Sequence, residues 1–254
     1  MQVVVDSQLV HYVTRGKGEL VLILHGWGDS STGWRDLAAT LAKKHQVIAL
    51  DLPGFGGTEA PKKAWDLSDY ALFVQHFLQK IDKPQVAVLI GHSNGGAIAV
   101  RGLGTGVLKT QKLVLLAAAG IRGEYKGRVK ALRVFTKIGK ALSSPLPKSV
   151  KQHLRRKVYS SVGSDMLVAE HMQETFKKIV TDDVREDAAK LSLPTLLVYG
   201  EADEQAPAWY GETYHQLITG STLEILPGVG HFVHLERPKE VTRAIQEFID
   251  APVV

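Results

Sequence analysis

Apolar and polar positions along the chain follow two alternating patterns. Residues 20–24, 47–50, 86–90 and 113–116 are short, almost wholly apolar runs, the mark of strands buried on both faces and so of a parallel sheet. Residues 3–5 and 9–13 read as a β-hairpin ahead of them. Between the runs, apolar residues recur at helical spacing, around Leu37 and Leu41, over 70–81 and over 97–103. This alternation predicts an α/β fold, a mostly parallel sheet of eight strands flanked by helices. It resumes with apolar runs at 195–199 and 223–226. A last helix opens near Pro238, since proline suits a first helical turn, and runs to Ile249.

The middle of the chain departs from this rhythm. Residues 121–190 carry helical spacing with no buried strand, broken at Ser143-Ser144-Pro145-Leu146-Pro147. They read as a helical cap inserted between two strands of one core domain, which comprises 1–120 and 191–254. Residues 121–160 hold twelve lysines and arginines against the single acid Glu124, so the net charge of +5 resides there. Within 128–142, Lys130, Arg133, Lys137 and Lys140 fall on one helical arc opposite Leu132, Phe135, Ile138 and Leu142. The apolar face is expected to roof a cleft. The basic face suits weak contact with an anionic membrane or attraction of acidic substrates. Nucleic acid is not expected, because no aromatic residues interleave the cations as stacking platforms.

Composition narrows the chemistry. With 254 residues, 44% hydrophobic and 22% charged, the chain can bury a sizeable core. It has no cysteine, which excludes disulfides, thiolate metal sites and a cysteine nucleophile. No apolar run approaches the roughly 18 residues of a membrane span and the N-terminus does not read as a signal peptide, so a soluble cytoplasmic protein is expected. Dinucleotide fingerprints fail on spacing, with Glu59 after Gly54-Phe55-Gly56 and Val107 after Gly102-Leu103-Gly104 where a third glycine is needed. His231 and His234 lack the acidic company of a metal site, and no metal or cofactor is implied.

The strongest motif is Gly91-His92-Ser93-Asn94-Gly95, between the apolar run 86–90 and a helical start at Gly96-Ala97. A G-x-S-x-G turned sharply from strand to helix holds its serine strained and exposed, and its glycines leave room for the turn. A serine nucleophile needs a base, and the base an orienting acid, in the chain order Ser, acid, His. Two loops after strands supply candidates: Glu201-Ala202-Asp203-Glu204-Gln205-Ala206-Pro207 and Gly228-Val229-Gly230-His231-Phe232. The residues alone leave Glu201, Glu204 and Glu124 as rivals to Asp203 for the acid.

With these motifs, together with His25-Gly26-Trp27-Gly28 and Asp51-Leu52-Pro53-Gly54-Phe55-Gly56, the chain resembles the α/β-hydrolase superfamily over nearly its whole length. The resemblance is to the cap-bearing branch of serine esterases and carbon–carbon bond hydrolases. It implies Ser93 as nucleophile, His231 as general base and Asp203 as the acid. It also implies an oxyanion hole from the backbone N–H groups of Trp27 and Asn94, with His25, His92 and Phe232 near the substrate. No cofactor is implied.

A serine at the elbow disfavours the dehalogenases and epoxide hydrolases of the superfamily, which use aspartate there. Hydrolysis of a small carboxylic ester through an acyl-enzyme is the expected activity. Carbon–carbon hydrolases of ring-cleavage diketones are the nearest alternative. They usually place Asn before the serine and Trp after the histidine, where this chain has His92 and Phe232. A cofactor-free perhydrolase or acyltransferase, and a non-catalytic ligand-binding member of the fold, are further readings. Substrate identity and oligomeric state are not encoded in any motif.

Overall fold

The computed structural model describes residues 1–122 and 172–252. Glu124 and the basic segment 128–142 lie outside the described residues. Eight strands form one sheet: β1 (Gln2–Val5), β2 (Gln8–Arg15), β3 (Leu20–Leu24), β4 (Gln46–Leu50), β5 (Val86–His92), β6 (Thr110–Leu116), β7 (Ser192–Gly200) and β8 (Thr219–Leu226). Their spatial order is β1-β2-β4-β3-β5-β6-β7-β8. β2 runs antiparallel to both of its neighbours, and every pair from β4 to β8 is parallel. The β1–β2 hairpin turns at Asp6 and Ser7, both at positive φ (49° and 65°), the twist that matches paired strands.

The apolar runs become strands because they are covered on both faces. Along the central strands, alternate side chains point to opposite layers. Leu22, Leu24, Leu89, Leu113, Leu115 and Leu197 face one layer, which contains α2 (Leu67–Lys80) and α3 (Asn94–Gly104). Val21, Ile23, Ile90, Val114, Leu116 and Val198 face the other, closed by α1 (Arg35–Leu41) and the C-terminal helix. α2 starts on a capping box in which the Asp66 carboxylate accepts from the N–H groups of Ser68 and Asp69, while Asp69 accepts from the Asp66 N–H.

Between β6 and β7 the described residues include two short helices, α4 (Gln173–Ile179) and α5 (Arg185–Ala188). Arg101 of α3 pairs with Asp182 at 2.6 Å and Asp187 at 2.7 Å, fastening this segment to the core. β7 is followed by α6 (Ala208–Leu217), and the chain closes with α7 (Val233–Glu236) and α8 (Pro238–Asp250).

Two elements differ from what the apolar pattern predicts. β8 begins at Thr219 rather than near Leu223, and most of it is at least partly exposed, because among the described residues it is an edge strand that pairs only with β7. α6 has no clear apolar stripe. It is seated through Gly211 and Tyr214, and Gly211 packs so closely that a Cβ there would lie 2.6 Å from the Tyr199 ring.

At its far end α8 is capped by an unusual donor. Lys112 on β6 is buried, and its Nζ donates to the carbonyls of Phe248 (2.9 Å), Ile249 (2.7 Å) and Ala251. A cation held against carbonyls at a helix C-terminus complements the helix dipole.

Candidate functional site

The site forms where the parallel strands end, the edge at which open α/β sheets gather their functional loops. β5 runs directly into α3, with Ser93 at the junction. Its backbone sits at φ 50° and ψ −117°, a left-handed conformation that costs a non-glycine residue about 1–3 kcal/mol. The surroundings hold it there. The Ser93 N–H donates to the Leu116 carbonyl at 3.1 Å, and the Ser93 carbonyl accepts from Ala119 at 3.0 Å and Gly96 at 3.0 Å. A Cβ on Gly91 would meet the Gly96 backbone at 2.6 Å, and one on Gly95 would meet the Leu24 carbonyl oxygen at 2.2 Å. Both glycines are therefore fixed by the tightness of the turn.

The loop after β7 brings Asp203, and the loop after β8 brings His231. The His231 Nδ1 lies 2.7 Å from Asp203 Oδ2, in a buried pair. The other carboxylate oxygen accepts from the N–H groups of Gln205 (2.7 Å) and Ala206 (2.9 Å), so the carboxylate is held on both sides. With Nδ1 donating to a carboxylate, Nε2 of His231 is left as the basic nitrogen. Glu201, a rival for the acid, instead accepts from the Gly228 N–H at 3.0 Å, while Glu204 is exposed. Glu124 lies outside the described residues.

The His25-Gly26-Trp27 loop follows β3. His25 is buried with both ring nitrogens engaged: Nδ1 donates to the Gly26 carbonyl at 2.7 Å, and Nε2 accepts from the Leu52 N–H at 2.9 Å. Burial depresses its pKa, which keeps it neutral, as this pairing requires. No ring nitrogen is left for a substrate. Trp27 packs edge-on against Phe55 at 4.8 Å between ring centres and lies 5.1 Å from Phe176 of α4, so an aromatic wall stands beside this loop. Asn94 opens α3, and the N–H of a first helical residue has no partner within its helix.

His92 is 1% exposed and turned away from solvent, with Nε2 3.0 Å from the His231 carbonyl. Phe232 is 40% exposed, its ring centre 5.4 Å from that of His231 and 5.6 Å from that of His92.

Three residues at the site carry no sequence motif. Glu236 accepts from the Gly230 N–H at 2.8 Å and the Phe232 N–H at 3.3 Å, bracing the backbone on both sides of His231. An acid just inside the short helix after the histidine is the signal that would have found it. His234 is buried, stacked on Trp34 at 4.0 Å and 12°, with its ring centre 5.0 Å from that of His92. Burial, reinforced by the neighbouring His231, lowers its pKa from 6.5 to about 4. The third residue, His11, supports the loop after β4 by pairing with Asp51 at 2.8 Å. Burial alone would raise the Asp51 pKa, but the N–H groups of Gly57 and Ser31 and the His11 ring outweigh it and hold the carboxyl below its usual range.

Among the described residues, no helix is long and apolar enough to cross a membrane. The chain is 29% identical to the uncharacterized hydrolase YugF of Bacillus subtilis, over 94% of this chain and 92% of that protein. It is 26% identical to the 2-hydroxy-6-oxo-6-(2'-aminophenyl)hexa-2,4-dienoic acid hydrolase of Metapseudomonas resinovorans, over 94% of this chain and 86% of that one. Its fold superposes on an esterase from Exiguobacterium antarcticum with a TM-score of 0.76, at 23% identity and 98% coverage of both chains. With an eight-stranded sheet of this order, an elbow serine at its centre and a family model matching residues 21–244, the chain belongs to the alpha/beta hydrolase family.

Proposed function

We propose that the protein is a serine hydrolase that cleaves a small carboxylic ester through an acyl-enzyme. The observation that carries this reading is the buried 2.7 Å pair of His231 Nδ1 and Asp203 Oδ2 in a chain whose elbow serine is held at positive φ. Ser93 Oγ attacks the ester carbonyl while His231 Nε2 takes its proton. The oxyanion so formed is met by the backbone N–H groups of Trp27 and Asn94. Such donors are already fixed in place, and the loss of one typically costs about 10²–10³ in rate. As the tetrahedral adduct collapses, the ester C–O bond breaks and the proton passes from His231 to the leaving alkoxide. Water then attacks the acyl-enzyme, giving its proton to His231, and the acid leaves as Ser93 regains its hydrogen.

In this reading Asp203 orients the imidazole and stabilises its charged form. Phe232 and the aromatic wall of Trp27, Phe55 and Phe176 contact the substrate. His25 belongs to the frame of the site. Residues 121–190 are assigned in this reading to a cap, of which 123–171 lie outside the described residues.

A fluorophosphonate probe tests the mechanism. It should label Ser93 in the wild type and fail on Ser93→Ala; equal labelling of both refutes it. The alternative, hydrolysis of a carbon–carbon bond in a ring-cleavage diketone, draws support from the dienoic acid hydrolase among the relatives. Ester cleavage is preferred because His92 and Phe232 stand at the positions where that group usually has Asn and Trp. Parallel kcat/KM measurements on p-nitrophenyl acetate and a 2-hydroxy-6-oxo-dienoate decide between them, and faster cleavage of the dienoate reverses the assignment.

A further inference from the structure

Ser93 and His231 are 138 positions apart in the chain and sit on different loops, yet a nucleophile and its base must meet at hydrogen-bond distance. One side chain joins the backbones that carry them. His92, the residue before Ser93, reaches the carbonyl of His231 with Nε2 at 3.0 Å. A carbonyl only accepts, so Nε2 carries the proton and the ring is the neutral Nε2–H tautomer. The opposite edge of the ring faces the oxyanion loop: a Cβ on Gly26 would lie 2.8 Å from His92 Nδ1 and 3.1 Å from the Ser93 Cβ.

The ring is also closed in on its sides. Its centre lies 4.9 Å from that of His231, 5.0 Å from His234 and 5.9 Å from Trp34, and it is 1% exposed. His92 thus belongs to the elbow through its own backbone and is bonded to the histidine loop through Nε2, while Nδ1 lies beside Gly26 with no hydrogen-bond partner among the described residues.

We propose that His92 is a positioning residue, a neutral donor that sets the His231 ring against Ser93 by holding the His231 carbonyl to the elbow. This rests on the serine hydrolase reading above. It accounts for a buried imidazole at a place where a substrate contact would otherwise be expected. It also explains why position 26 is glycine: any side chain there would drive the ring off the carbonyl. Because misplacement of a reacting group by about 1 Å can cost on the order of a hundredfold in rate, one hydrogen bond at this point has leverage on turnover.

The test compares His92→Phe, which keeps a planar ring without a donor, with His92→Gln, which keeps a neutral N–H donor. With p-nitrophenyl acetate, His92→Phe should lower kcat about ten- to a hundredfold with KM changed less than threefold. His92→Gln should recover most of the loss. A readout independent of turnover is the downfield proton resonance of His231 Nδ1–H. It should broaden in His92→Phe and return in His92→Gln, and it applies whether or not the ester is a substrate.

Wild-type kcat in His92→Phe, an unchanged resonance in that variant, or a glutamine variant no better than phenylalanine would overturn the proposal. If phenylalanine does not fold by circular dichroism, His92→Gln against His92→Leu reads the same contrast. Failure of the serine hydrolase reading shows separately, as equal turnover by wild type and Ser93→Ala.

Discussion

His234 links burial, charge and stability in a way that can be measured. Its ring is stacked on Trp34, and both ring nitrogens are buried without a hydrogen-bond partner among the described residues. The unfolded chain protonates this group near pH 6.5, whereas in the folded protein its pKa is about 4. The unfolded state therefore binds more protons between those values, and stability rises with pH across that window. The contribution is fully present above pH 6.5 and is lost as pH falls toward 4. At pH 5 the two pKa values correspond to about 2 kcal/mol of lost stability, against almost none at pH 7.5. His92, whose pKa burial and the nearby His234 and His231 push down, acts in the same direction.

Replacing His234 by Phe keeps the stack on Trp34 and removes both the titration and the unpaired nitrogens. Urea unfolding of the wild type and His234→Phe at pH 7.5, 6 and 5 measures the difference. The variant should gain about 2 kcal/mol relative to wild type between pH 7.5 and 5. Parallel pH dependence of the two proteins would refute the reasoning, because it would mean that His234 is protonated as readily folded as unfolded.

Asp203→Asn should lower kcat for an ester substrate by about 10⁴ while substrate affinity and the melting temperature change little, since the amide favours the wrong imidazole tautomer; initial rates and a thermal melt check this. Lys112→Met should cost about 2–3 kcal/mol by urea unfolding, because charged hydrogen bonds to three carbonyls are lost, with no change in KM at a site on the opposite edge of the sheet. Sedimentation with anionic vesicles should be weak and salt-sensitive and should fall in Lys130→Glu combined with Lys137→Glu, as expected of exposed charges with a Debye length of about 10 Å at 0.1 M salt. Equal sedimentation with neutral vesicles would remove the membrane role of the basic segment.

The architecture was legible in the chain because a parallel sheet covered on both faces calls for short apolar runs such as 20–24 and 86–90, which here alternate with stretches of helical spacing. The positions of the candidate residues were legible for a related reason: an elbow serine follows a strand, and Asp203 and His231 fall in loops after later strands, so strand positions locate them. The helix Ala208–Leu217 and the early start of β8 were not legible, since each is held by neighbours rather than by its own apolar stripe.

The tertiary structure alone decided what the other polar residues do. The sequence shows His11, His25, His92, His231 and His234 as similar imidazoles. Folding leaves His231 and His11 each on a carboxylate, His25 between two backbone groups, His92 on a carbonyl 139 residues away and His234 with no hydrogen-bond partner among the described residues. Lys112 stands next to the apolar run 113–116 with no motif around it, yet it caps a helix 136 residues further on. Apolar burial repeats with the period of a strand or helix and can be read locally. A hydrogen bond across the sheet depends on which loops the strand order brings together, and that is settled only when the chain is folded.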